Sequence, residues 1–162
     1  MAIGRGGKIL PIKMAVSGKG VAPLMGYVMG SDSIGISASG LRAQAVRMKV
    51  IAENLANADS VAASPGGAPY QRKIATFRAV MDGKQKGGEV QVTGVTGDKS
   101  AFGRTYQPGN PAADATGYVQ TPNVDPLLEA ADMKAAQRSY EANLNAIEAA
   151  RGLTMRTLDL LK

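Results

Sequence analysis

Two stretches of the chain repeat apolar residues every seventh position, and the stretch between them does not. In the first, Ile34, Leu41, Met48 and Leu55 recur at that interval, with Ala38, Ala45 and Ala52 four residues after each of the first three. Steps of four and three keep one side of an α-helix against a neighbouring helix. Residues 31–57 therefore predict a helix about 40 Å long whose seam has one bulky and one small row. Ser31, Asp32 and Ser33 supply N-cap oxygens at its start, while Gly35 and Gly40 weaken its first turns. In the second stretch Met133, Tyr140, Ile147, Thr154 and Leu161 repeat every seven residues, flanked by Leu144 and Leu158. Asp125 can cap this helix, Pro126 suits its first position, and Glu129 and Asp132 favour its positive end. Arg151, Arg156 and Lys162 favour its negative end, and the expected length is about 55 Å.

The middle of the chain follows another period. Ser64-Pro65-Gly66-Gly67-Ala68-Pro69 is a breaker cluster, Tyr70 to Phe77 is strand-like, and Glu89 to Val95 alternates polar and apolar residues as a half-buried strand does. Residues 1–30 hold seven glycines, two prolines and no periodicity, and are expected to carry little stable structure of their own. The chain thus divides into a basic Gly-rich extension (1–30), an N-terminal core helix (31–60), a β/loop insert (61–122) and a C-terminal core helix (123–162). The expected fold is mainly α: long N- and C-terminal helices packed as a coiled coil, with a small β-rich insert. Neither helix buries its stripe alone, so self-association follows.

Composition removes most chemistry. Among 162 residues there is no Cys, His or Trp, which excludes disulfides, thiolate nucleophiles, Cys/His zinc sites and imidazole bases. Asp82, Glu89, Asp98 and Asp114 are the carboxylates an enzyme would need, and they show no motif spacing. Gly94-Val95-Thr96-Gly97-Asp98-Lys99-Ser100 fails the phosphate-loop spacing because Asp98 separates Gly97 from Lys99. The net charge of +6 is mostly local: Arg5, Lys8, Lys13 and Lys19 stand in residues 1–30 without an acid. The groups Arg42, Arg47, Lys49 and Arg72, Lys73, Arg78 read as solvated faces and rims. The longest uncharged run, Gly20 to Ser31, is 12 residues, short of a bilayer span. Lys13 and Lys19 interrupt any signal-peptide core. A flexible-armed protein that meets a membrane surface or nucleic acid through residues 1–30 is the alternative from another class.

Ala52-Glu53-Asn54-Leu55-Ala56-Asn57-Ala58-Asp59-Ser60 resembles the S/A-x-N-[LI]-A-N-x-x-[TS] signature that closes the N-terminal helix of bacterial flagellar rod and hook proteins. Ser37-Ala38-Ser39-Gly40-Leu41-Arg42-Ala43-Gln44 before it, then Pro69 to Lys73, Gly117 to Asp125 and Met133 to Asn143, match that family's further motifs in order. The resemblance covers about residues 31–162, and the short insert favours the proximal-rod type.

The resemblance implies a structural subunit, not an enzyme, with no cofactor. It implies export without a cleaved signal and assembly in the periplasm into the rod that carries torque from rotor to hook. Its partners would be other rod proteins and copies of itself, the rod-base adaptor and the export apparatus. Residues 1–30 would lie near the inner membrane, and neither nucleic acid nor a small-molecule substrate is implied. The expected assembly contacts are Ile34, Leu41, Met48 and Leu55 with Asn54 and Asn57 on the first helix. On the second they are Met133, Tyr140, Asn143, Leu144, Ile147, Leu158 and Leu161. The two asparagines either meet a neighbouring subunit or cap the helix end. Met29-Gly30-Ser31-Asp32 is similar to the family's usual start, so residues 1–28 read as a lineage-specific extension or the product of a misplaced start codon.

Overall fold

A computed structural model of the protein describes residues 21–81 and 88–160, with side chains from Asp32 onward. Helix α1 spans Val21–Ala56 and helix α2 spans Pro126–Asp159. Between them lie strands β1 (Lys73–Val80), β2 (Glu89–Gly97), β3 (Gly103–Tyr106) and β4 (Tyr118–Thr121). Among the described residues no helix is long and apolar enough to cross a membrane.

The first helix begins ten residues earlier than expected, at Val21 instead of Ser31, so Ser31, Asp32 and Ser33 lie inside it and do not cap it. Pro23 falls in the first turn, where its missing N–H costs nothing. Gly26 and Gly30 each cost only about 1 kcal/mol in a helix that is already nucleated. Glycine content therefore did not mark the boundary. At the other end α2 starts as its residues predict: the Asp125 carboxylate accepts from the N–H groups of Leu127 and Leu128, and Pro126 occupies the first position.

The helices run antiparallel along each other. Asn54 near the end of α1 bonds to Glu129 near the start of α2, and Gly40 lies under Asn143. A Cβ on Gly40 would come within 2.8 Å of the Asn143 amide nitrogen, so this glycine serves close approach. On α2 the buried residues Glu129, Ala136 and Ala150 alternate with half-buried Met133, Tyr140, Asn143, Ile147 and Thr154 in steps of three and four.

On α1 the buried stripe is not the expected one. It runs through Ser39, Ala43, Val50 and Asn54, with Ile51 beside it. At about 100° per residue, the row Ile34, Leu41, Met48 and Leu55 lies roughly 160° around the helix from that stripe. These four are half-buried, and Ala45 and Ala52 are exposed. The physical reason is that α1 packs on two partners. Gly40 lies against Asn143 of α2, while the Ser39 hydroxyl accepts from the Val90 N–H of β2 at 3.1 Å, so the buried stripe turns toward the insert and the bulky row stays half-buried on the other flank.

The insert is two separate two-stranded sheets. β1 and β2 pair antiparallel from Lys73 opposite Gly97 to Val80 opposite Glu89, with a bulge at Thr76/Phe77. β3 and β4 pair antiparallel from Gly103 opposite Thr121 to Tyr106 opposite Tyr118. The alternation in Glu89–Val95 does form a strand, but one more open than a half-buried face, with Val92 and Val95 both exposed. Tyr106 and Tyr118 meet edge to face at 5.2 Å. The turn before β4 uses Gly117 at φ 82°. The largest fully buried side chains are Glu129, Val119, Asn54 and Ser39, so polar groups occupy the centre of the fold.

Candidate assembly site

Asn54 and Glu129 anchor the junction where both helices meet the insert. Each is about 1% exposed. The Asn54 amide oxygen accepts from the Lys73 backbone N–H at 2.9 Å and from the Tyr70 hydroxyl at 3.0 Å. Its nitrogen donates to the Lys73 carbonyl at 2.8 Å and to Glu129 Oε2 at 3.2 Å. Every bonding position of the amide is used. By taking both the N–H and the C=O of Lys73, the side chain acts as one residue of an extra strand against the start of β1.

Glu129 is held from the other side by Arg72, whose Nε donates to Oε1 at 2.6 Å. The same guanidinium reaches Asp98 at 3.3 Å and Asp132 at 4.0 Å. Burial pulls the Arg72 guanidinium down, and the bonds and charges of Glu129 and Asp98 more than offset it, leaving its pKa raised. Burial also raises the Tyr70 hydroxyl above its ordinary value. Asp98 is held below the usual carboxylate range, first by the Ser100 backbone N–H and also by Arg72. Asn123 completes the junction: its oxygen accepts from the Arg72 N–H at 2.7 Å, and its nitrogen donates to the Ser100 hydroxyl at 2.8 Å.

Arg72 and Lys73 are therefore not a solvated rim. Arg72 compensates a buried carboxylate, and Lys73 pairs with Glu53 at 3.1 Å. Arg47 likewise pairs with Asp132 at 3.6 Å, whereas Arg42, Lys49 and Arg78 are exposed as expected. Glu129 was legible as a residue suited to a helix N-terminus, but not as a buried one. The only sequence signal for its partner is the position of Arg72 within the Pro69–Lys73 motif.

The structure divides the expected contact residues into three groups. Met133, Tyr140, Asn143 and Ile147 lie in the α2 stripe against α1. Asn54 is a buried intramolecular latch, and Asn57 caps the end of α1, donating to the Glu53 carbonyl at 2.8 Å and accepting from the Ser60 hydroxyl. Ile34, Leu41, Met48 and Leu55 form the outer row of α1, and Leu144 and Leu158 are exposed on α2 at 41% and 49%. Leu161 lies outside the described residues, as do Arg5, Lys8, Lys13 and Lys19. Leu127 and Leu128, not among the expected contacts, are the other large apolar residues left open near the start of α2.

The exposed leucines of α2 and the latch sit on a chain whose relatives are specific. Residues 34–62 match the family described as flagella basal body rod protein, and residues 115–160 match the flagellar basal body rod FlgEFG protein C-terminal family. The chain is 46% identical over 127 residues to the flagellar basal-body rod protein FlgC of Agrobacterium fabrum, covering 78% of this chain and 91% of that protein. It is 40% identical over 145 residues to FlgC of Bacillus subtilis (80% and 97%) and 42% over 125 residues to FlgC of Salmonella typhimurium (77% and 92%). The signature containing Asn54 and Asn57 and the α2 motif around Tyr140 fall within the two matched regions. The chain belongs to the FlgC family of flagellar basal-body rod proteins.

Proposed function

We propose that this chain is a structural subunit of the flagellar basal-body rod, not an enzyme, and that it assembles through its two long helices. The observation that carries the reading is apolar surface left open along α2. Leu144, Met155 and Leu158 stand exposed on one of its faces and Leu153 on another, while Ile34, Leu41, Met48 and Leu55 form a half-buried row on α1. Isolated apolar residues on a surface need no explanation, but rows along helices more than 30 residues long mark interfaces.

The steps of three and four in the α1–α2 contact support coiled-coil packing within the subunit, and the outer rows extend that packing to adjacent rod subunits, both copies of this chain and other rod proteins. The latch of Asn54, Lys73, Glu129 and Arg72 ties the insert to the helices, so torque on one part reaches the other through bonded groups. Placement in the periplasm, passage through the flagellar export apparatus without a cleaved signal, contact with a rod-base adaptor and an approach of residues 1–30 to the inner membrane complete the reading. Basal bodies isolated from cells carrying an epitope-tagged chain test it. The tag should co-purify with the rod, and deletion of the gene should remove hook and filament. A motile deletion strain would overturn the reading.

A further inference from the structure

Tyr106 and Tyr118 stand opposite each other at one end of the β3–β4 ribbon, and Arg104 stands opposite Gln120 two residues further in. Side chains alternate across a strand, so these four share one face and Thr105 and Val119 share the other. Val119 is 1% exposed and anchors its face in the fold, whereas Tyr106 and Tyr118 are 61% and 44% exposed. The chain has five Tyr, two Phe and no Trp, so two rings side by side in solvent are a large share of its aromatic surface. Both are held in place. The Tyr118 N–H donates to the Asp114 carboxylate at 3.0 Å, and its carbonyl accepts from the Asp114 N–H at 2.9 Å. The Tyr106 ring lies so close over Gly117 that a Cβ there would come within 2.8 Å of it. Rings already fixed in this way lose little entropy when a ligand settles on them.

We propose that this face binds a glycan strand of N-acetylated sugar rings. Its source is the cell-wall polymer that a periplasmic rod meets, an assignment that rests on the rod reading above. Three features of the face select this occupant. The first is chemistry. The face carries no aliphatic side chain, unlike α2 with its exposed leucines. A pyranose lays its C–H face on an aromatic ring and needs donors and acceptors at its hydroxyl edge. Arg104 supplies donors, Gln120 supplies both, and Asp114 beside them supplies an acceptor. One positive and one negative group together favour a neutral ligand over an ion of either sign. The second is shape. Arg104, Tyr118 and Gln120, with Ala62, Gly67 and Ala112, line a crevice of about 40 Å³. That is room for a group of a few heavy atoms, such as an acetamido substituent. The third is size. Four side chains on two strands cover on the order of 100–200 Å². A stable protein pair needs about 800 Å² per partner, whereas a patch this small suits a sugar ring and its neighbour.

Titration of the full chain with an N-acetylglucosamine tetramer, followed by amide NMR, tests the proposal. The signals of Arg104, Tyr106, Tyr118 and Gln120 should shift and those of the helices should not. A glucose tetramer, which lacks the acetamido group, should bind about tenfold more weakly. Purified cell-wall sacculi should pellet the chain. Tyr118→Ala and Arg104→Ala should each lose about tenfold in affinity. Arg104 is exposed, so its variant keeps the wild-type thermal midpoint and separates lost binding from lost fold. Silence at the ribbon, equal binding of the two tetramers, or Arg104→Ala binding like wild type would overturn the inference. Ribbon signals that broaden with protein concentration and ignore the sugar would assign the face to a second copy, which overturns it too. The titration uses the purified chain, so its failure leaves the rod reading standing. Absence of the chain from isolated basal bodies removes that reading without touching the measured binding.

Discussion

Asn54→Ala is the sharpest probe of the latch. The substitution deletes four hydrogen bonds: two with the Lys73 backbone, one from the Tyr70 hydroxyl and one to Glu129. At a net value of about 1 kcal/mol per bond the loss is about 4 kcal/mol. Lys73 is only half-buried and regains some water, whereas Glu129 cannot, so the expected cost is about 3–4 kcal/mol. Asn54→Asp is the stricter test. It keeps the acceptor for Lys73 and Tyr70, but sets an oxygen where the nitrogen stood, 2.8 Å from the Lys73 carbonyl and 3.2 Å from a Glu129 oxygen. Two acceptors then face each other, and two carboxylates share a buried site. At pH 7 the aspartate should cost more than the alanine, and the excess should be smaller at acidic pH, where a proton between the facing oxygens relieves the repulsion. Urea unfolding followed by circular dichroism at both pH values measures this. An alanine cost under about 1 kcal/mol, or an aspartate tolerated as well as alanine at pH 7, would refute the latch as a stabilising element.

Other outcomes follow from the same geometry. Arg72→Ala leaves Glu129 buried with one partner and should cost about 2–3 kcal/mol in urea unfolding, less than for a fully buried pair because Arg72 is 26% exposed. Gly117→Ala forces a side chain onto φ 82° and to within 2.8 Å of the Tyr106 ring, so about 1–3 kcal/mol should be lost and the signals of β3 and β4 should broaden in NMR spectra. Asp98 and Asp114 both have lowered pKa values, Asp114 first through the Thr116 hydroxyl. Their contribution is present above the unfolded carboxylate value near 4 and lost as pH falls through the folded values, so the thermal midpoint should drop on acidification below about pH 4. Asp114→Asn should flatten that drop. Tyr70 has a raised pKa, so its contribution is full below about pH 10 and fades as pH rises through the folded value. Tyr70→Phe should remove that alkaline loss, and an unchanged alkaline limb would refute it.

Much of the fold was legible because its signals are local. The cap and first position of α2 were visible in Asp125 and Pro126, and the strands β1 and β2 in alternation and in the breaker cluster before Tyr70. The start of α1 was not legible. A helix that propagates from a packed middle tolerates glycines that would mark an end in an isolated segment. The latch was half legible. Asn54 stood out by its motif, but its partners Lys73 and Glu129 are 19 and 75 residues away, and no spacing rule reaches that far.

The displaced seam on α1 has a more general cause. A heptad row says that a helix packs against something, and carries no information about which molecule supplies the partner. In a chain that folds alone, the bulkiest row and the intramolecular seam coincide, because burying large side chains contributes most. In a subunit of an open assembly the two need not coincide. Here α1 meets α2 of its own chain through Gly40, Arg47 and Asn54 and meets β2 through Ser39, while the larger residues Leu41, Met48 and Leu55 stay half-buried to one side. The same division explains a centre in which Glu129 and Asn54 are among the largest fully buried side chains. Directional polar bonds fix one arrangement of helices and insert without spending the large apolar side chains, which stay outside the subunit's own seam.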